Sequence, residues 1–140
     1  MIRARILTVL LACAGLLAGC GSEAPAPVRW MEAKPNPIVD SLRAAVVARP
    51  APDRVRLEAH WTATAVAGPC TIDLGLPAGV LIVEGAERIE VDAQAPAGHA
   101  SWVLEFPRDG RELDAVVRYC VETPDGLRAA QCAVRLTPAH

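Results

Sequence analysis

"VRLEAHWTATAV", residues 55–66, decides the architecture. Val55, Leu57, Ala59, Trp61, Ala63 and Ala65 fall on one side of this run, and Arg56, Glu58, His60, Thr62 and Thr64 on the other. Successive side chains of a strand point to opposite faces, so a strict two-residue period reads as a strand with one face in the core and one in water. Working outward, "CTIDLGL" (70–76) repeats the pattern with Cys70, Ile72, Leu74 and Leu76 inward. "ASWVLEF" (100–106) turns Ala100, Trp102, Leu104 and Phe106 to one face, and "LDAVVRYCVE" (113–122) does the same with Leu113, Ala115, Val117, Tyr119 and Val121. "VLIVEG" (80–85), "ERIEVD" (87–92) and "AQCAVRLT" (130–137) supply further short apolar runs. Turn signals at Pro77-Ala78-Gly79, Arg108-Asp109-Gly110 and Pro124-Asp125-Gly126 separate them.

Short strands at regular spacing, with no long helical period after residue 50, predict an all-β fold: an antiparallel β-sandwich of about seven strands over residues 42–140. "DSLRAAVVA" (40–48) reads two ways. Asp40 is a plausible helix N-cap, yet Leu42, Ala44, Val46 and Ala48 alternate. A first edge strand is expected, because Arg49-Pro50 stops the run early. Trp61, Trp102, Phe106 and Tyr119 are the large residues available to fill the core, and the alternation points both tryptophans inward rather than toward a sugar-stacking surface.

The N-terminus has a different character. Arg3 and Arg5 precede an uncharged apolar run, Ile6 to Leu17, that is shorter than the ~20 residues a bilayer-spanning helix needs. Such a run suits the apolar region of a signal peptide. Leu17, Ala18 and Gly19 then lead into Cys20, which resembles the lipobox of bacterial lipoproteins. The resemblance implies a cleaved signal peptide over residues 1–19, lipidation of Cys20 on its thiol, and fatty acylation of the new α-amine. Two or more chains, at roughly 0.8 kcal/mol per buried CH₂, make a durable anchor. Gly21 and Ser22 follow the cysteine where an Asp would favour the inner membrane, so the family pattern implies an outer-membrane anchor facing the periplasm. Residues 20–41 carry Pro25, Pro27, Pro35 and Pro37 and read as an extended tether, interrupted by Trp30-Met31, which is expected to pack on the domain or lie exposed.

The strand run itself is similar to bacterial immunoglobulin-like cell-surface sandwiches of the CARDB-like kind. The stretch that carries this is "RVRLEAHWTATAVAGPCTIDLGLPAGVLIVEG" (54–85), with "SWVLEF" (101–106) and a "DG" hairpin after it. The resemblance implies a fold rather than an activity, since sandwiches of this kind host many functions.

The chain has 14 basic and 16 acidic residues, and without Arg3 and Arg5 a net charge of −4 remains. That balance argues against a nucleic-acid partner, which requires a basic surface. Three cysteines stay in the domain: Cys70, Cys120 and Cys132. In an oxidising compartment one disulfide is expected and one thiol is left over. Cys120 and Cys132 flank the last hairpin and are the favoured pair on proximity, with Cys70 as the free thiol. Alternation opposes that pair by turning Cys120 outward and Cys132 inward, and Cys70–Cys132 is the competing bridge. His60 reads as an outward strand residue and His99 as a loop residue.

No C-x-x-C, H-E-x-x-H, P-loop or G-x-S-x-G motif is present. No catalytic residue, metal ligand or cofactor is therefore expected. The expected function is that of a non-enzymatic cell-envelope lipoprotein, held to the membrane by its lipid anchor, whose sandwich binds a protein or envelope polymer. The alternative is a periplasmic thiol–disulfide or metal-handling module using Cys120 and Cys132.

Overall fold

A computed structural model describes residues 27–64, 68–92 and 94–138. Leu17 to Cys20, the expected lipobox, lie outside the described residues. The described residues form nine strands: β1 (Met31–Glu32), β2 (Ser41–Ala51), β3 (Arg54–Thr62), β4 (Cys70–Gly75), β5 (Leu81–Glu84), β6 (Arg88–Val91), β7 (Ala97–Glu105), β8 (Leu113–Thr123) and β9 (Gly126–Leu136). They build two antiparallel sheets, one ordered β1-β2-β3-β7-β5 and the other β6-β4-β8-β9.

The expected all-β sandwich is present. With β1 and β6 set aside, seven strands remain, in the orders β2-β3-β7-β5 and β4-β8-β9. This matches the A-B-E-D and C-F-G order of the immunoglobulin sandwich. The two additional strands are the two-residue β1 and the four-residue β6.

The alternation seen in the sequence is the burial pattern of the fold. Val55, Leu57, Ala59 and Trp61 of β3 and, beside them, Trp102 and Leu104 of β7 join Ile72 and Leu74 of β4 and Val117 and Tyr119 of β8 in one continuous core. Trp102 is fully buried, and its indole N–H donates to the carbonyl of Ala86 at 2.7 Å. Truncating a side chain of that size in a closed core costs about 3–5 kcal/mol. Trp61 lies across Gly98, its register partner on β7. A Cβ at Gly98 would stand 2.4 Å from the indole ring, so only glycine lets the ring lie this close to the backbone.

The segment at 40–48 is strand, and it runs past Pro50 to Ala51. Register shifts between Val46 and Ala48 and between Ala48 and Ala51 accommodate the proline. It is an edge strand along only part of its length, because β1 pairs with it through Met31–Ala44 and Glu32–Arg43. Packing on the sandwich thus begins before the expected domain start at 42. Val39 is buried in the core, and a turn over Asn36–Val39 is closed by the Asn36 side chain accepting from the amide of Ile38 at 3.1 Å.

The hairpin β8–β9 settles the cysteine question. Thr123 pairs with Gly126 around the two-residue loop Pro124-Asp125, and Gly126 takes a φ of 119° that favours glycine. That loop fixes the register, with Cys120 opposite Ala129 and Cys132 opposite Val117. The two cysteines are three residue pairs apart along the ladder, and strict alternation puts them on opposite faces of the sheet. The expected Cys120–Cys132 disulfide is therefore absent, and Cys70, Cys120 and Cys132 are all free, buried thiols.

Candidate functional site

The outer faces of the two sheets carry the ionisable residues. On the five-stranded sheet, β2, β3 and β7 bring Arg43, His60 and His99 side by side, since Arg43 pairs with His60 and His60 with His99. The Arg43 guanidinium lies over the ring of Trp30 at 4.6 Å, and Trp30 meets His60 edge-on at 4.9 Å. The imidazoles of His60 and His99 are 5.9 Å apart and inclined at 29°. Oε2 of Glu58 stands 3.4 Å from Nε2 of His60, and both side chains are about a third exposed. The row runs unbroken from Trp30, just before β1, to His99 on β7.

Backbone register explains why the two histidines meet. The Ala63 amide donates to the Pro96 carbonyl and the Phe106 amide to the Asp53 carbonyl, each at 2.8 Å. Both bonds continue the β3–β7 ladder, so the hydrogen-bonded pairs fall at the odd-numbered residues of β3. His60–His99 is then a non-hydrogen-bonded pair, the kind whose Cα atoms approach to ~4.5 Å and whose side chains lie closest. His99, expected in a loop, is in β7. Strand β5 pairs with β7 only from Glu105 to Val103. Among the described residues, the His99 end of β7 therefore has no strand on its other side.

The outer face of the four-stranded sheet is built differently. Arg88 donates to both carboxylate oxygens of Asp73 at 3.0 and 3.2 Å, and Arg135 reaches Asp114 at 3.2 Å and Glu112 at 3.4 Å. Asp73, Gly75, Glu87, Arg88 and Arg118 line a shallow 440 Å³ recess. Cys120 is only 5% exposed beside it, with its thiol 3.8 Å from Asp73. Burial first, and the Asp73 charge second, push the Cys120 thiol above its ordinary range. Such a thiol is a poor nucleophile at neutral pH. Cys132 donates to the carbonyl of Met31 at 3.0 Å, and burial raises it too. Tyr119 is pushed upward by burial and by its bond to Cys70.

A larger groove of 560 Å³ lies along the β2–β9 seam, lined by Pro27, Arg29, Met31, Val46, Asp114 and Arg135 among others. Its carboxylate, Asp114, is bonded to Arg135. Among the described residues, no group of three or more His, Cys, Asp or Glu is arranged to enclose a metal ion.

Of the residues singled out in the sequence, then, Cys70, Cys120 and Cys132 are not brought together as a pair, and Leu17 to Cys20 lie outside the described residues. The Trp30–His60–His99 row was not foreseen as a unit; the outward position of His60 was its one sequence signal. No protein-family model, curated protein or solved structure matches the chain.

Proposed function

We propose that the chain is a lipid-anchored protein of the bacterial cell envelope, held at the periplasmic side of the outer membrane by acyl chains on Cys20. Its sandwich acts as a non-catalytic module that binds a protein or an envelope polymer. The lipobox at Leu17, Ala18, Gly19 and Cys20 supports the anchor. The observation that carries the binding role is the Trp30–His60–His99 row, a half-exposed aromatic and imidazole surface next to the end of the domain where the tether enters. Aromatic and arginine side chains are the usual anchors of binding surfaces, and Arg43 and Trp30 are already held against each other there.

Strand pairing from Met31 onward also shortens the tether. Fully extended, the ten residues from Cys20 to Trp30 reach at most ~35 Å, so the domain works close to the lipid surface. The test is fractionation and co-purification from native membranes. Cys20→Ser should lose its lipid mass and leave the membrane fraction, and Trp30→Ala should stay anchored but lose its co-purifying partner. Retention of Cys20→Ser in the membrane would refute the anchor, and an unchanged partner set with Trp30→Ala would refute the binding face.

A further inference from the structure

The His60–His99 pair can do more than contribute to a contact surface. We propose that these two imidazoles form a chelating site for a borderline divalent transition metal such as Zn(II), Cu(II) or Ni(II), with Glu58 as the adjacent carboxylate. Neutral imidazoles are the preferred nitrogen ligands of these ions, whereas the harder Mg(II) and Ca(II) take oxygen ligands.

Geometry carries the assignment. Metal–nitrogen bonds of ~2.1 Å on both sides place the two ring centres roughly 5–6.5 Å apart, and the observed separation is 5.9 Å. The rings are inclined at 29°, so a shared ion requires a rotation about χ2, a soft torsion in histidine. The backbone needs no adjustment, because a non-hydrogen-bonded cross-strand pair is the position that brings side chains closest.

Access and surroundings fit as well. His99 is exposed at a stretch of β7 that, among the described residues, has no strand on the side away from β3, and His60 is partly exposed. Glu58, 3.4 Å from His60 Nε2, can accept from a metal-bound water or, after a side-chain rotation, ligate the ion itself. With two imidazoles as fixed ligands, the remaining coordination positions stay open to water or to a group from outside. That describes an exchangeable site rather than a closed structural one. Arg43 opposes the ion, because it is the cross-strand partner of His60 and its guanidinium lies over the Trp30 ring that meets His60 edge-on. The buried thiols take no part: Cys120 lies on the other sheet, and Cys132 is turned inward and bonded to Met31.

The proposal is independent of the identity of any partner. It is tested on the full chain, purified in detergent and titrated with Ni(II) at about pH 7.5. Ni(II) favours imidazole over buried thiol. Calorimetry and the quenching of Trp30 fluorescence are the two readouts. One equivalent of Ni(II) should bind. His60→Gln and His99→Gln should each weaken binding by roughly tenfold or more, and Glu58→Gln by less. Arg43→Gln should tighten binding severalfold through loss of like-charge repulsion. Equal affinity in the His60→Gln/His99→Gln double variant, no saturable binding by the parent chain, or weaker binding by Arg43→Gln would each overturn the proposal.

Discussion

The two outer faces of this sandwich are made from the same alternating pattern and end up chemically unlike. On the four-stranded sheet, acid and base neutralise each other: Asp73 with Arg88, and Arg135 with Asp114 and Glu112. The five-stranded sheet also pairs charges at one end, Arg54 with Glu105 and Arg56 with Glu84, but at the other end Arg43 has an indole rather than a carboxylate beneath it, His60 meets that indole edge-on and His99 lies against His60. The first face joins these acids and bases to one another. The second keeps donors, acceptors and π-faces available to something else. The buried titratable groups divide the other way, since Tyr119, Cys120 and Cys132 all lie on β8 and β9 of the four-stranded sheet. The difference teaches that alternation decides which residues are outside, while register decides what they become there.

The strongest way to break the comparison is to disturb β7 beneath His99. Gly98→Ala puts a methyl group into the Trp61 ring and should destabilise the protein by about 1–3 kcal/mol in denaturant unfolding, with loss of the His60–His99 contact. An effect below ~0.5 kcal/mol would mean that Trp61 packs elsewhere.

The next effect belongs to the four-stranded sheet and appears in alkali. Burial raises the folded-state values of Cys120 and Cys132 above their ordinary 9.0, and that of Tyr119 above its ordinary 10.0. The folded state therefore holds these protons more tightly than the unfolded chain. Their contribution is fully present below pH ~9 and is lost as the pH climbs through the raised folded values. Melting temperature followed from neutral pH to alkali should fall from about pH 9 upward. Combining Cys120→Ala with Cys132→Ala should flatten that fall in part, and Tyr119→Phe should flatten it further.

A smaller loss is expected from Trp30→Ala. Removing the ring contacts with Arg43 and His60 should cost about 1 kcal/mol and leave the core untouched, as near-ultraviolet circular dichroism can check. Smallest is Asp73→Asn. It removes the second of the two influences that raise the Cys120 thiol and should modestly speed maleimide labelling of Cys120 at alkaline pH, leaving the rate at Cys132 unchanged.

Much of this was legible in the sequence. The period of residues 55–66 revealed the strand, the inward residues and the burial of Trp61, because those depend only on neighbours along the chain. The two-residue loop after Thr123 was visible as Pro124-Asp125-Gly126, yet proximity across a hairpin is not pairing. Register and parity put Cys120 opposite Ala129 and away from Cys132. The His60–His99 row was beyond reach for another reason. It depends on β3 pairing with β7 across 39 residues of chain, with β4, β5 and β6 between them. Small residues around His99 (Ala97, Gly98, Ala100) also resemble a loop until the indole that fills the space above Gly98 is known. Trp30-Met31 hid in a proline-rich stretch because a two-residue strand has no period to read.

The central claim is that the Trp30–His60–His99 face, and not the neutralised face opposite, makes the functional contact. Photo-crosslinking in native membranes tests it directly, with a photoreactive residue placed at His99 in one variant and at the exposed Gln131 of β9 in another. The account predicts a discrete crosslinked partner from position 99 and none from position 131. Crosslinks from 131 alone would contradict it.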